Sequence, residues 1–460
     1  MSTTVKTFKR GLHVPKRKEA TIGKPSEAIP PPKQVVIPIN QHFGAPNKCL
    51  VQAGDKVARG QKIADAAAPG PMTVPVHASI SGIVKKIEPR TQSNNIEGIC
   101  VVIEAESGVP RPDAFMPPLD PFSCTREDAL SRIREAGLVG MGGAGFPVHA
   151  KLAPQHNKHI DLVIANAAEC EAYLTSDACM INEKTDLLIQ GIAMVMHIVG
   201  VKKGVIGIED DKSYLIPLLE RAIVQCSAGG NSLEGRVTVQ PLRTKYPQGG
   251  EKMLVTAITG REVPSGGLPM DVGCVVSNAG TLAALAEAFI LGKPLIERYL
   301  TVSGGACGKP RVIVAPIGAL ISDLSADFFD IDYNKLKKII FGGPMMGTAV
   351  PFTSIPIQKN TSGIVLMTAD ETTAEKEGPC VRCGLCMRNC SCRLSPVIMR
   401  EAVEADELEE ARDAGLLDCI ECGNCSYICP ARIKLVQHFR VGKQRFRIKQ
   451  AVKKPAAAKS

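Results

Sequence analysis

Eight cysteines fall into two runs of one spacing: Cys380, Cys383, Cys386, Cys390, and then Cys419, Cys422, Cys425, Cys429. Each run reads C-x2-C-x2-C-x3-C, a pattern that binds paired [4Fe–4S] cubanes. Three thiolates at two-residue gaps wrap three irons of one cube, and the fourth, set off by three residues, serves the other. The expected ligand sets are therefore crossed: Cys380, Cys383, Cys386 with Cys429, and Cys419, Cys422, Cys425 with Cys390. Paired clusters pass single electrons, so the pattern predicts a redox carrier. Structural zinc is the competing reading, because C-x2-C pairs also make zinc sites. Zinc, however, gains nothing from an offset fourth cysteine. Pro430 follows Cys429, where a proline turns the chain away from a cluster. Cys390 is followed instead by Ser391 and a ninth cysteine, Cys392, which stands as an alternative ligand.

A second constellation lies upstream. Five glycines occupy Gly137 to Gly145, after a predicted helix and before Phe146. So bare a loop lets backbone N–H groups approach a phosphate or a flat ring closely, although a tight structural turn would use the same residues. The dinucleotide fingerprint is a poor match, since a helix rather than a strand leads in. Asn166 to Glu171 place an amide and two carboxylates at the end of a predicted strand, where ligands of α/β sheets bind. Tyr246 to Glu251 add an aromatic ring, two glycines and a carboxylate. Asn278 to Leu282 open an apolar helix, with Asn278 as its expected N-cap.

The elements that must position these residues follow from pattern. The 460 residues predict about three or four domains. Short apolar runs (35–39, 51–57, 60–64 and 76–84) broken by Gly and Asp predict a small β domain, and the Pro-rich run 109–121 a linker. A helix is expected over 126–136 with Thr125 as cap. Beyond it, strands at 162–166, 204–208 and 237–239 alternate with helices at 187–201 and 216–226, which predicts a largely parallel α/β sheet. Residues 300–351 read as a compact α+β unit with a helix-like stretch at 317–324, and Pro396 to Ala414 carry helical spacing.

Seventeen cysteines would suggest disulfides in a secreted chain. The eight outside the cysteine-rich segment (Cys49, Cys100, Cys124, Cys170, Cys179, Cys226, Cys274, Cys307) are scattered, and the basic stretch Met1 to Lys18 precedes no apolar core of a signal peptide. A reducing compartment is expected. No window reaches the apolar length of a membrane-spanning helix. The net charge of +9 is concentrated from Arg432 to Lys459, where no acidic residue occurs. A solvated tail and a docking segment for an acidic protein partner or anionic membrane surface both fit. Nucleic acid fits poorly, for want of a recognised module.

The run from Gly137 to Lys151, G-L-V-G-M-G-G-A-G-F-P-x-x-x-K, resembles the flavin-binding loop of the NADH-oxidising flavoprotein of respiratory complex I. The full order of segments, with N-A-A-E-C-E-x-Y-L-T-S-D from Asn166 and Y-P-Q-G-G-E from Tyr246, resembles the RnfC family of the Rnf (Rsx) electron transport complexes. The resemblance implies a lipoyl-like barrel-sandwich hybrid at 1–120, a complex I flavoprotein-like α/β domain at 121–295, and a soluble-ligand-binding (SLBB) β-grasp-like unit at 296–362. An α-helical two-cluster ferredoxin-like domain would occupy 363–435, with a basic tail at 436–460. Asp65 to Pro75 lack the lysine of lipoyl carriers, so swinging-arm chemistry is not expected.

By position, the resemblance implies that Gly140, Gly142 and Gly143 line FMN, with Lys151 near its ring or phosphate. Asn166, Glu169, Asn278 and Thr281 would contact FMN as well. Phe146 would stack on NAD(H), and Glu171 and Glu251 would hold its ribose hydroxyls. Ala168 and Gly250 depart from the complex I pattern, which has Asp and Glu there. FMN can exchange hydrides on one side and single electrons on the other, so it belongs between NAD(H) and the clusters. No catalytic acid or base is expected, and His149, His156 and His159 read as surface or packing residues. The implied role is a peripheral subunit, on the cytoplasmic side of a membrane, of an ion-translocating ferredoxin:NAD+ oxidoreductase. Its partners would be the complex's other subunits and, indirectly, a ferredoxin-type donor. A flavo-iron–sulfur reductase resembling microcompartment cobalamin reductases, or an electron-carrier adaptor without nucleotide binding, are the alternatives.

Overall fold

The computed structural model describes residues 4–106, 111–153, 158–372 and 376–453. His156, the first two residues of the expected linker (109–110) and the end of the basic tail (454–460) lie outside the described residues.

Two small antiparallel sheets share one core near the start of the chain. Gln34–Pro38, Glu97–Ala105, Gly82–Thr91 and Lys56–Val57 pair in that order, and Lys48–Cys49, Lys62–Asp65 and Val76–His77 form the second sheet. Val35, Ile37, Ile63, Val84, Val101 and Ile103, drawn from both sheets, are fully buried together. The alternating apolar pattern of the sequence thus closes into a barrel-sandwich.

The central sheet is wholly parallel, in the order Val237–Leu242, Gly204–Glu209, Leu162–Ala167, Cys274–Asn278. Side chains on successive strand residues alternate between two cores: Val163 and Ala165 join one, Ile164 the other, and Val275 and Val276 divide the same way. Both faces are therefore buried, as a parallel sheet requires. Helices Arg126–Glu135, Thr185–Ile198 and Ala279–Ile290 contribute to the first core, and Glu251–Thr259 to the second. Thr125 caps the first helix by accepting the Asp128 N–H at 3.1 Å. Gly191 lets two helices touch, because a Cβ there would strike the Leu282 carbonyl.

A six-stranded mixed sheet follows, ordered Glu27–Ala28, Arg311–Pro316, Glu297–Ser303, Gly363–Met367, Lys338–Phe341, Thr348–Val350. Three of its features differ from expectation. Gly363–Met367, at the expected start of the cysteine-bearing domain, is an interior strand here, and all five of its residues are buried. Residues 317–324 hold only the single turn Ile321–Leu324, because Gly318 sits at φ +91° and breaks any longer helix. Glu27–Ala28, expected in the N-terminal domain, is an edge strand of this sheet. Farther upstream, Lys6 and Leu12 bridge to Leu242 and Tyr246 beside the central sheet.

The cysteine segment folds as short helices, Leu385–Arg388, Pro396–Glu404, Leu408–Asp413 and Asn424–Tyr427, closed by the long helix Leu435–Lys453. The helical spacing expected across 396–414 is interrupted at Asp406, which adopts φ +60°. The basic stretch is no tail as far as Lys453: Val436, Phe439 and Phe446 are buried, and Lys443 donates to the Cys419 carbonyl at 2.6 Å. Among the described residues no helix is long and apolar enough to cross a membrane.

Candidate electron-transfer site

The internal repeat of the cysteine segment reaches the backbone. Left-handed φ angles recur 39 positions apart, at Arg382 and Glu421 (54° and 55°), Gly384 and Gly423 (71° and 87°), and Arg393 and Arg432 (59° and 57°). Each repeat bends its cysteines around a hollow. Cys380, Cys383, Cys386 and Cys429 line one cavity; Cys390, Cys419, Cys422 and Cys425 line the other, with Cys392 also on its wall. The fourth cysteine of each run has crossed to the other run's cavity. Both cavities are walled mainly by apolar groups, including Val397, Ile433 and Leu435 in the first and Met399, Val436 and Phe439 in the second. Burial pushes the Cys419 and Cys422 thiols up to about 12 and 11. Each hollow, lined by four cysteines, is a place where a cluster would be held.

The glycine loop closes on itself, with the Gly140 N–H donating to the Phe146 carbonyl at 2.8 Å. It is pinned at the strand ends. The Met141 N–H donates to Thr281 Oγ1 at 3.0 Å, and a Cβ on Gly142 would lie 3.1 Å from Asn278 Cβ. Gly143 has no neighbour within 4 Å of where a Cβ would stand. It is the open point of the loop.

Asn166 and Asn278 stand in register at the carboxyl ends of adjacent strands. Asn166 accepts the Ala168 N–H and donates to the Gly249 carbonyl; Asn278 caps its helix on the Thr281 N–H and donates to Asp177. Each amide has one further N–H to give. Glu169 is buried and caps helix Ser176–Glu183, accepting from the Ser176 hydroxyl and the Asp177 and Ala178 amides. The residues expected around FMN therefore come together at one end of the sheet, with Lys151 ion-paired to Glu251 at its edge. A ring or phosphate fits this place on two observations: the open Gly143 and the two asparagine N–H groups still to be used.

Glu171 lies elsewhere than expected. Expected on a ribose, its carboxylate instead accepts the Met345 and Met346 amides at 3.0 and 2.9 Å, and Gly343 is pressed so close that a Cβ there would collide with it. Burial of the carboxyl pushes Glu171 up to about 7, against the pull of those two amides. The reason is topological: the 343–346 turn of the six-stranded sheet folds over the strand end and supplies donors that the local sequence does not reveal.

Other contacts were invisible in the sequence pattern, which singled out Tyr246 but not what it touches. Phe43, from the β domain, stacks on Phe146 with ring centroids 6.3 Å apart and planes inclined by 21°. Tyr246, fully buried, donates its hydroxyl to the Cys422 carbonyl at 2.7 Å and lies beside the Glu171 carboxylate. A Cβ on Gly423 would lie 2.9 Å from the Met345 carbonyl, and one on Gly250 would touch Ile420. The cavity of Cys390, Cys419, Cys422 and Cys425 is thus the one seated against the strand-end site. Under the site, Lys212 pairs with Glu209 and Asp211 at 2.9 Å each, and Lys18 donates to the Glu169 carbonyl at 2.5 Å. Lys212 could have been read from its acidic neighbours; Lys18 carried no signal. His149 is buried and His159 exposed, as packing and surface residues.

Residues 133–287 match the model of the Nuo51 FMN-binding domain, and residues 6–108 that of the RnfC barrel sandwich hybrid domain. The chain is 42% identical over 438 residues, 95% of its own length and 93% of the relative's, to the C subunit of the proton-translocating ferredoxin:NAD(+) oxidoreductase complex of Clostridium ljungdahlii. It is 41% identical, over 95% of the chain and 96% of the relative, to the Na(+)-translocating counterpart of Acetobacterium woodii. The C subunit of the ion-translocating oxidoreductase complex of Vibrio cholerae is 36% identical over 89% of the chain, which spans 52% of that longer relative. The crystal structure of an NAD+-reducing [NiFe]-hydrogenase in the H2-reduced state shares the fold at TM-score 0.50 and 19% identity, over 72% of this chain and 65% of that one. The chain belongs to the family of C subunits of ion-translocating ferredoxin:NAD(+) oxidoreductase complexes.

Proposed function

We propose that this protein is the subunit of an ion-translocating ferredoxin:NAD+ oxidoreductase that passes electrons between two [4Fe–4S] clusters and NAD(H) by way of FMN, and that it sits peripherally on the cytoplasmic side of the membrane. The observation that carries this reading is the seating of one cysteine cavity directly against the strand-end site, through Tyr246 and the Cys422 carbonyl. FMN, when bound, supplies the exchange between hydrides and single electrons.

The protein's own groups supply place and environment. Gly140, Gly142 and Gly143 let the backbone approach FMN, Asn166 and Asn278 offer it their remaining N–H groups, and Glu169 and Thr281 hold the helix start and the loop. Lys151 stands near the FMN ring or phosphate, and Glu251 and Phe146 face NAD(H) at the rim. Glu171 is a positioning residue that clasps the 343–346 turn. Cys380, Cys383, Cys386 and Cys429 hold the outer cluster, and Cys419, Cys422, Cys425 and Cys390 the one nearer the flavin. The six-stranded unit serves as the β-grasp-like SLBB scaffold and the helical segment as the ferredoxin-like wire. Its basic last helix favours docking on acidic partner proteins of the complex. Iron and flavin analysis of the anaerobically purified chain tests this: about eight irons per chain are expected, with FMN. Zinc in place of iron would end the reading.

An electron-carrier adaptor without nucleotide binding is the second reading, favoured by the inward turn of Glu171. It predicts iron and flavin without reduction by NADH.

A further inference from the structure

The two cysteine cavities are built on one repeat, yet their walls are not chemically equal. Where the first cavity has Pro430 after its crossing cysteine, the second has Ser391, and where the first has Ala431 the second has Cys392. In the opposite sense, Arg400 of the first cavity becomes Phe439 in the second, but Arg400 is engaged in an ion pair with Glu404. Asn424 replaces Leu385, and its amide donates to the Asn389 carbonyl at 3.4 Å.

Ser391 alone among the residues lining the second cavity carries a hydroxyl. It is 6% exposed, and its Oγ makes no hydrogen bond of normal length and angle with any described residue. It stands on the cavity wall together with Cys390, Cys419, Cys422 and Cys425. A buried hydroxyl without an acceptor costs about 1–3 kcal/mol. The sulfurs of a cluster and its thiolates are such acceptors, and they gain negative charge on reduction. A donor aimed at them stabilises the reduced state and raises the potential. Proline at the matching position offers no donor at all.

We propose that Ser391 is a potential-tuning residue: its hydroxyl donates to a sulfur of the cluster held by Cys390, Cys419, Cys422 and Cys425, and makes that cluster easier to reduce. The inference rests on the iron–sulfur reading of the two cavities. The two clusters are then inequivalent by construction, with the tuned one on the flavin side.

The test is a redox titration of the anaerobically purified full-length protein, followed by electron paramagnetic resonance, with iron analysis alongside. In Ser391→Ala one of the two cluster midpoints should move to lower potential. At a fixed poise its reduced-to-oxidised ratio should fall about tenfold, which is about 59 mV for one electron. The other midpoint and the iron content should stay at wild-type values. Ser391→Thr, which keeps the hydroxyl, should restore the wild-type midpoint. Unmoved midpoints in Ser391→Ala, or an equal shift of both, would overturn the proposal while leaving the iron–sulfur reading intact. Loss of about four irons would also overturn it, because the hydroxyl would then be structural. A wild-type protein without cluster signals would sink both readings together.

Discussion

Replacing Glu171 by glutamine separates a clasp from a ribose ligand, and its size can be worked from the structure. The carboxyl is raised to about 7 by burial, from an unfolded value near 4.5. Because the folded state holds the proton more tightly, it binds more protons than the unfolded state between those two values. Stability is therefore highest below about pH 4.5 and falls as pH rises to about 7. A shift of about 2.5 units corresponds to roughly 3 kcal/mol at 1.36 kcal/mol per unit. Partial solvent access to the residue reduces this to about 2 kcal/mol. Glutamine cannot ionise, yet it retains one carbonyl oxygen for the Met345 or Met346 amide. Glu171→Gln should thus lack this fall, gaining about 2 kcal/mol relative to wild type between pH 5 and 8. That amounts to roughly 4–8 °C in the thermal midpoint of a domain of this size. Circular dichroism melts of both proteins across that range give the difference directly. The KM for NADH should change little. Parallel pH profiles, or a large rise in KM with an unchanged profile, would refute the inward placement.

Tyr246→Phe removes the hydroxyl bonded to the Cys422 carbonyl. The contact between cluster segment and strand-end site should weaken by about 1 kcal/mol, and stopped-flow traces should show slower cluster reduction at unchanged iron and flavin content. Gly143→Ala adds a methyl group where no neighbour stands within 4 Å. The apoprotein should melt as wild type does while FMN affinity, measured by fluorescence titration, falls about tenfold or more; a lowered melting temperature with intact affinity would contradict the open-loop reading.

Much of this was legible in the residues because it depends on short-range rules. The two-residue gaps keep three cysteines of each run on one hollow, and the fourth cysteine of each run lines the other. Thr125 and Asn278 cap the helices that their types predicted. What escaped depends on distant chain segments. No periodicity shows that Lys6 and Leu12 lie along the central sheet or that Glu27–Ala28 completes another one. The strand Gly363–Met367 is a continuous apolar run, equally suited to opening a new domain or filling a sheet. The resemblance placed Glu171 on a ribose, and the distant 343–346 turn whose amides it accepts has no signal in the local sequence. The basic residues of 435–453 masked the apolar stripe Val436, Phe439, Phe446 that fastens that helix.

The proposed role requires that one chain join hydride chemistry to single-electron transfer. Anaerobic mixing of the purified holoprotein with NADH, followed in absorbance and then by low-temperature electron paramagnetic resonance, puts that junction to the test. The flavin should bleach first. Reduction of the cluster held by Cys390, Cys419, Cys422 and Cys425 should follow, before or together with the outer one. Flavin that bleaches while both clusters stay oxidised, at potentials where dithionite reduces them, would break the link between the two chemistries.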